Sequence, residues 1–174
     1  MAPRATLSPV DNGLPASTLL VLRDRANGID GTVSSAFGAR AAASAADDGP
    51  VVLLIGDVAL AHDLGGLLAA RRPGLALTIV LVDNDGGGIF EFLPVAGATD
   101  AFEEHVATPT GLDAERVAEL FGLDYAAPAD PAAFAAAVTA ALGSERTTLI
   151  HVRTDRKANV TEHRAVWEAV RTRV

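Results

Sequence analysis

Four short, unbroken apolar runs punctuate the chain: "TLLVLRD" (18–24), "VVLLIGD" (51–57), "LTIVLVDN" (77–84) and "TTLIHVRTD" (147–155). Each is shorter than the roughly 10 residues a stable helix needs, and each is bounded by turn-forming residues. Because the runs are continuous rather than alternating, both of their faces must be covered. That is the pattern of strands in a parallel sheet sandwiched between helices. "TVSSAFGARAAASAA" (32–46) predicts a helix between the first two runs. The span from Val58 to Arg72 predicts another, with Leu60, Leu64, Leu67 and Leu68 on one face until Pro73-Gly74 stops it. Further on, Asp113 is placed to cap a helix closing near Gly122, and Asp130-Pro131 opens an alanine-rich helix ending at Gly143. "TEHRAVWEAVRTRV" predicts a C-terminal helix with Val166, Trp167 and Val170 facing inward. The fold expected is α/β: an open, mostly parallel sheet with right-handed crossovers and helices on both faces. The stretch from Glu91 to Leu112 is long enough to be a lid or binding loop.

In such sheets ligands sit outside the carboxyl ends of the strands, where Asp24, Asp57, Asn84 and Asp155 fall. Asp57, after Gly56 and before Val58, has an ordinary role open to it as a helix cap. The same junction directs free backbone N–H groups outward, which suits a phosphate. A carboxylate beside a diphosphate repels it unless a cation intervenes, and Mg²⁺ favours one or two carboxylates together with phosphate oxygens and water. Asn84, 27 positions after Asp57, offers a neutral amide oxygen at the next strand end. Gly86-Gly87-Gly88 then lets the backbone turn back without a Cβ in the way, although "DNDGGG" also reads as a simple turn.

Composition removes other classes of function. A net charge of −8 and a pI near 4.8 oppose binding to nucleic acid or an anionic membrane. The absence of cysteine excludes disulfides, thiolate metal sites and thiol nucleophiles. With no secretory leader and no apolar stretch near the roughly 20 residues of a membrane span, a cytoplasmic protein is expected. His62, His105, His151 and His163 lack ligand-like spacing and read as surface or packing residues. Arg153, Asp155, Arg156 and Arg164 read as solvated cap and surface pairs. A nicotinamide-nucleotide domain is disfavoured because no G-x-G-x-x-G follows a strand.

Gly-Asp, 27 residues, then Asn at a second strand end resembles the diphosphate-binding motif of thiamine diphosphate enzymes. "RANGIDGTVSSAFG" (25–38), "GDVALAHDLGGLL" (56–68), "DNDGGGIFEFLP" (83–94), "TPTGLD" (108–113) and "TDRKANVTEHRAVW" (154–167) are similar, in that order, to the C-terminal domain of the MenD family. Those proteins are 2-succinyl-5-enolpyruvyl-6-hydroxy-3-cyclohexene-1-carboxylate synthases of menaquinone biosynthesis. The resemblance implies that Asp57, Asn84 and the main-chain oxygen of Gly86 hold Mg²⁺ against thiamine diphosphate. It adds Gly28, Ile29, Gly56, Val58, Ile89 and Phe90 to the cofactor site, Ile29 as the wedge between the cofactor's rings. In the family the cofactor's carbanion attacks 2-oxoglutarate, CO₂ leaves, and the acyl anion adds to isochorismate.

Where the family commonly has an Arg facing the carboxylate-bearing substrate, this chain has Asp24. Arg23 and Arg25, with Ile89 and Phe90, are therefore the candidate substrate contacts. The resemblance further implies a separate N-terminal domain that binds the aminopyrimidine and carries the activating glutamate, leaving no catalytic residue of that kind on this chain. The expected organisation is a flexible leader or truncation remnant over residues 1–17 and a diphosphate domain over 18–174, incomplete at its N-terminal side, inactive alone and part of a homo-oligomer. Two other readings stay open: a piece of another thiamine diphosphate-dependent 2-oxoacid decarboxylase or acetolactate synthase-like enzyme, or a non-catalytic remnant of the fold.

Overall fold

A computed structural model describes residues 19–21, 29–45, 49–97 and 99–173. Among the described residues five strands form one sheet: β1 (Leu19–Val21), β2 (Val51–Gly56), β3 (Thr78–Asp83), β4 (Asp124–Ala126) and β5 (Thr148–Arg153). Their spatial order is β1-β2-β3-β5-β4, and every neighbouring pair is parallel. The four apolar runs supply β1, β2, β3 and β5. The edge strand β4 was not expected, because "DYA" is short and only partly buried and draws its register from β5, where Tyr125 lies opposite Leu149.

The α-helices among the described residues that connect and flank the strands are α1 (Thr32–Ala45), α2 (Asp57–His62), α3 (Thr99–Phe102), α4 (Ala114–Phe121), α5 (Pro131–Leu142) and α6 (Arg156–Arg171). Side chains alternate across a strand, so Val51, Leu53 and Ile55 of β2 enter one core with Val33 and Phe37 of α1 and Leu60 of α2. Asp113 and Asp130 cap α4 and α5 as expected, accepting the N–H groups of Arg116 and Ala133. Gly122 ends α4 at a φ of 72°, a left-handed conformation in which glycine carries no Cβ penalty. Among the described residues no helix is long and apolar enough to cross a membrane.

Three expectations need correction. The helix foreseen from Val58 to Arg72 stops at His62 and resumes as a 3-10 segment, Leu64–Arg71, which turns Leu68 outward at 57% exposure. Asp63 makes the break. Its buried carboxylate reaches α1 and accepts both the N–H (2.7 Å) and the hydroxyl (3.0 Å) of Ser34, satisfying a donor in the first turn of that helix. The C-terminal helix presents Val166, Trp167 and Val170 outward rather than inward, and Val160 is the residue that α6 buries. Finally, the stretch from Glu91 to Leu112 contains two 3-10 turns, α3 and a π-helical turn, Glu103–Ala107, rather than an open loop.

Replacing Asp63 by Ala would strand the Ser34 N–H and is expected to lower stability by about 1–2 kcal/mol. Urea unfolding followed by circular dichroism should show the shift in midpoint, and an unchanged midpoint would refute the role given to Asp63.

Candidate functional site

Parallel pairing places Gly56 beside Val82, so β2 and β3 end side by side and deliver Asp57 and Asn84 to the same edge of the sheet. Asp57 starts α2 without a side-chain capping bond from its N-cap residue, Gly56. Its carboxylate instead crosses to the neighbouring strand end, where Oδ2 accepts the Gly86 N–H at 2.6 Å. This carboxylate is only 4% exposed. Burial pushes its pKa above the usual range; the Gly86 N–H opposes that rise, and the negative charge of Asp83 adds to it.

The glycine triplet is shaped by close approach. Gly86 has a φ of 116°, and a Cβ there would strike the Ala107 carbonyl oxygen. The Gly87 N–H donates to that same carbonyl at 2.6 Å, and the Gly88 N–H returns to the Gly86 carbonyl at 2.8 Å, closing a three-residue turn. A Cβ on Gly87 would meet the Phe90 ring, and one on Gly88 would strike the Asn84 amide nitrogen. Asn84 is thereby pinned over Gly88, and its Oδ1 is a buried acceptor without a hydrogen-bond partner.

Such an orphan is unusual in a folded protein, where nearly all buried polar atoms are paired. The donor types suit a small, hard cation: Asp57, bonded to the Gly86 N–H, offers an anionic oxygen, and Asn84 and the Gly86 carbonyl of the same loop offer neutral ones. Among the described residues no group of three or more His, Cys, Asp or Glu side chains could hold a metal. A single carboxylate with neutral oxygens suits Mg²⁺ when phosphate supplies further ligands.

Three apolar candidates of the sequence are exposed. Ile29 is 40% exposed, Ile89 73% and Phe90 39%. Ile29 lies in the turn before α1, where its carbonyl accepts the Thr32 hydroxyl at 3.0 Å. Gly56 and Val58 flank Asp57 at the strand end. Gly28, Arg23, Asp24 and Arg25 lie outside the described residues.

Two features escaped sequence reasoning. His151, buried on β5, bridges Tyr125 and Asp83: its Nε2 is 2.8 Å from Asp83 Oδ2 and its Nδ1 is 2.9 Å from the Tyr125 hydroxyl. Asp83 Oδ1 also accepts the Asp85 N–H at 3.0 Å, so this chain of bonds reaches into the glycine loop. Beside it, Asp83, Asp85, Thr110, Asp113 and Arg153 help line a cleft of about 440 Å³. The acid in "VDND" was the available signal for this network, while its histidine partner stands 68 positions away. The second feature is Arg156. Far from being a solvated surface cation, it is 13% exposed and donates from Nη2 to Glu103 at 2.8 Å. Burial alone would lower its pKa, but the bond to Glu103 and the charges of Glu103, Glu91 and Asp85 outweigh it, and the pKa rises.

Residues 23–152 match the family described as thiamine pyrophosphate enzyme, C-terminal TPP binding domain. The chain is 49% identical over 153 residues to 2-succinyl-5-enolpyruvyl-6-hydroxy-3-cyclohexene-1-carboxylate synthase of Geobacillus thermodenitrificans (strain NG80-2), covering 87% of this chain and 25% of that protein. Against the protein of the same name from Myxococcus xanthus (strain DK1622) it is 47% identical over 163 residues, covering 91% and 27%. It thus spans about a quarter of the length of these curated relatives. Among solved structures, the thiamine diphosphate-dependent 4-hydroxybenzoylformate decarboxylase of Rhodococcus jostii RHA1 superposes with a TM-score of 0.59 at 28% identity, covering 70% of this chain and 22% of that one.

The raised pKa of Asp57 has a sign that can be measured. The folded carboxyl takes up its proton at higher pH than the unfolded one, whose value is 3.8, so ionising it costs stability. The cost is absent below 3.8, grows as pH rises toward the folded pKa and is complete above it. Asp57→Asn keeps an acceptor for the Gly86 N–H and removes the charge. Without metal it should therefore unfold at higher urea concentration than the parent at pH 7, and the difference should vanish below pH 3.8.

Proposed function

The chain belongs to the thiamine pyrophosphate enzymes, as their C-terminal cofactor-binding domain, and on that premise we propose that it grips the diphosphate of thiamine diphosphate through Mg²⁺ in a menaquinone-pathway synthase. The observation that carries this reading is the buried, unpartnered Asn84 Oδ1, on the same loop as the Gly86 N–H that the Asp57 carboxylate holds. Its close relatives in sequence carry the synthase name, which favours 2-oxoglutarate and isochorismate as the substrates of the whole enzyme.

Bound thiamine diphosphate supplies the carbon nucleophile and electron sink for decarboxylating a 2-oxoacid. This chain's residues have three tasks around it. Asp57 and Asn84, with the Gly86 carbonyl, hold the cation that neutralises the diphosphate. Gly56 and Val58 flank Asp57 at that end of the cofactor, and Gly28 is the further backbone candidate implied by the family motif. Ile29, Ile89 and Phe90 present apolar surface to the ring side, where excluding water protects a carbanion. Arg23 and Arg25 remain the candidates for holding a substrate carboxylate in place of the family's usual Arg, since bidentate guanidinium contacts suit that group. In this reading the aminopyrimidine and its activating glutamate belong to a separate N-terminal domain, and the enzyme is a cytoplasmic homo-oligomer.

Calorimetric titration of the polypeptide with thiamine diphosphate tests the reading. Affinity should require Mg²⁺ and fall at least roughly 10-fold in Asp57→Ala and in Asn84→Ala, the scale on which metal sites respond to losing support. Metal-independent binding, or indifference to both substitutions, overturns it. The same polypeptide incubated with cofactor, 2-oxoglutarate and isochorismate should give no turnover, and measurable synthase activity would refute the assignment of the activating group to another domain.

A further inference from the structure

Gly88 is the point where the proposed metal ligand meets the rest of the fold. One side of its Cα faces the Asn84 amide, and the Arg156 stem lies 3.3 Å from where a Cβ would stand. Arg156 is the first residue of α6, so the ligand loop rests on the start of that helix. The guanidinium then reaches two more segments. Nη2 donates to Glu103 Oε2 at 2.8 Å, at the head of the π-helical turn. Nη1 stands 3.8 Å from Glu91 Oε1, in the 3-10 turn Gly88–Phe92 that follows the glycines. The π-helical turn ends at Ala107, whose carbonyl accepts the Gly87 N–H. One side chain therefore ties together α6 and both segments that shape the loop around Asn84 and Gly86.

The contact with Glu91 is unfinished. Nη1 and Glu91 Oε1 are both buried, and neither has a hydrogen-bond partner. About 1 Å of approach would convert their separation into a charge-assisted hydrogen bond near 2.8 Å. Two buried, opposite, unsatisfied groups at that distance favour contraction of the loop onto α6. The planar fork of Arg can serve both carboxylates at once, whereas the ammonium of Lys is a single point charge.

We propose that Arg156 is the positioning residue for the metal-binding loop, setting the Asn84 oxygen by supporting Gly88 and clamping Glu91 to Glu103. The inference rests on the diphosphate and Mg²⁺ reading of Asp57, Asn84 and Gly86. It makes Arg156 part of the cofactor machinery without contact to cofactor or metal. Because its effect passes through Asn84, removing Asn84 should make Arg156 irrelevant to metal affinity.

A double-variant cycle tests this by titrating Mg²⁺ into the polypeptide with thiamine diphosphate present. Arg156→Lys should weaken Mg²⁺ binding roughly 10-fold, Glu103→Gln should weaken it less, and Arg156→Lys added to Asn84→Ala should be no worse than Asn84→Ala alone. Glu103 is half-exposed, so Glu103→Gln supplies a variant that folds even if Arg156→Lys does not. Unchanged affinity in both single variants, or full additivity in the double variant, overturns the positioning role while leaving the site intact. Absence of Mg²⁺-dependent binding in the unmodified chain overturns the underlying reading, and this inference with it.

Discussion

The site depends on one hydrogen bond, from the Gly86 N–H to the Asp57 carboxylate. It joins the end of β2 to the loop after β3, two segments that parallel pairing brings close but does not itself connect beyond Val82. An ionised acceptor makes this bond stronger than a neutral one. It also helps fix the direction of the carboxylate, which backbone N–H groups at the start of α2 support as well. What a simple helix-capping role would leave out is the bond to Gly86, which links the two strand ends.

Holding the loop this way carries local costs that the surroundings must over-determine. Asp85 takes a φ of 61° and Gly86 one of 116°, and Asp57 keeps a buried negative charge near that of Asp83. Asp83 repays part of this, since its carboxylate accepts the Asp85 N–H that the left-handed turn exposes and also engages His151. A divalent cation would reverse the sign of the remaining cost. The repulsion that lifts the Asp57 pKa becomes attraction once positive charge sits between the carboxylate and a diphosphate. The loop is thus held in its conformation at some expense of stability, as preorganisation for the proposed cation would require.

How much of this was readable from residues alone follows from the range of each interaction. The strands were legible because burial on both faces forces a continuous apolar run, and that signal is local. Asp57, Asn84 and the glycines were legible because parallel pairing turns a sequence spacing into spatial adjacency. Asp63 was hidden by its helical periodicity: Leu60, Leu64, Leu67 and Leu68 fit one stripe, but the bond from Asp63 to Ser34 in α1 ends the helix and rotates Leu68 away. Val166, Trp167 and Val170 misled because their spacing suits a core-facing stripe. In the fold, Trp167 touches the Phe92 ring, with centroids 5.7 Å apart, and stays half-exposed. Arg156 looked like an ordinary helix-start cation because its partner Glu103 is 53 positions distant.

The polar and apolar parts of the site answer to the same demand from opposite directions. In the proposed reading a metal-bound diphosphate needs oxygen ligands held rigidly, and the loop's rigidity comes from steric exclusion: no Cβ fits at Gly86 or Gly88, so the backbone itself packs against Ala107 and Asn84. The same reading asks for a dry wall beside a reactive carbanion, a role that large apolar groups suit. The sequence moves from one requirement to the other within two residues, from Gly88 to Ile89 and Phe90, because the 3-10 turn beginning at Gly88 redirects the chain. The Phe90 ring lies against Gly87, close enough that only a glycine fits beneath it. Loop geometry and apolar wall are consequently one packing unit. The ring that contributes to the wall thus rests on the same glycines whose lack of a Cβ leaves room for Asn84.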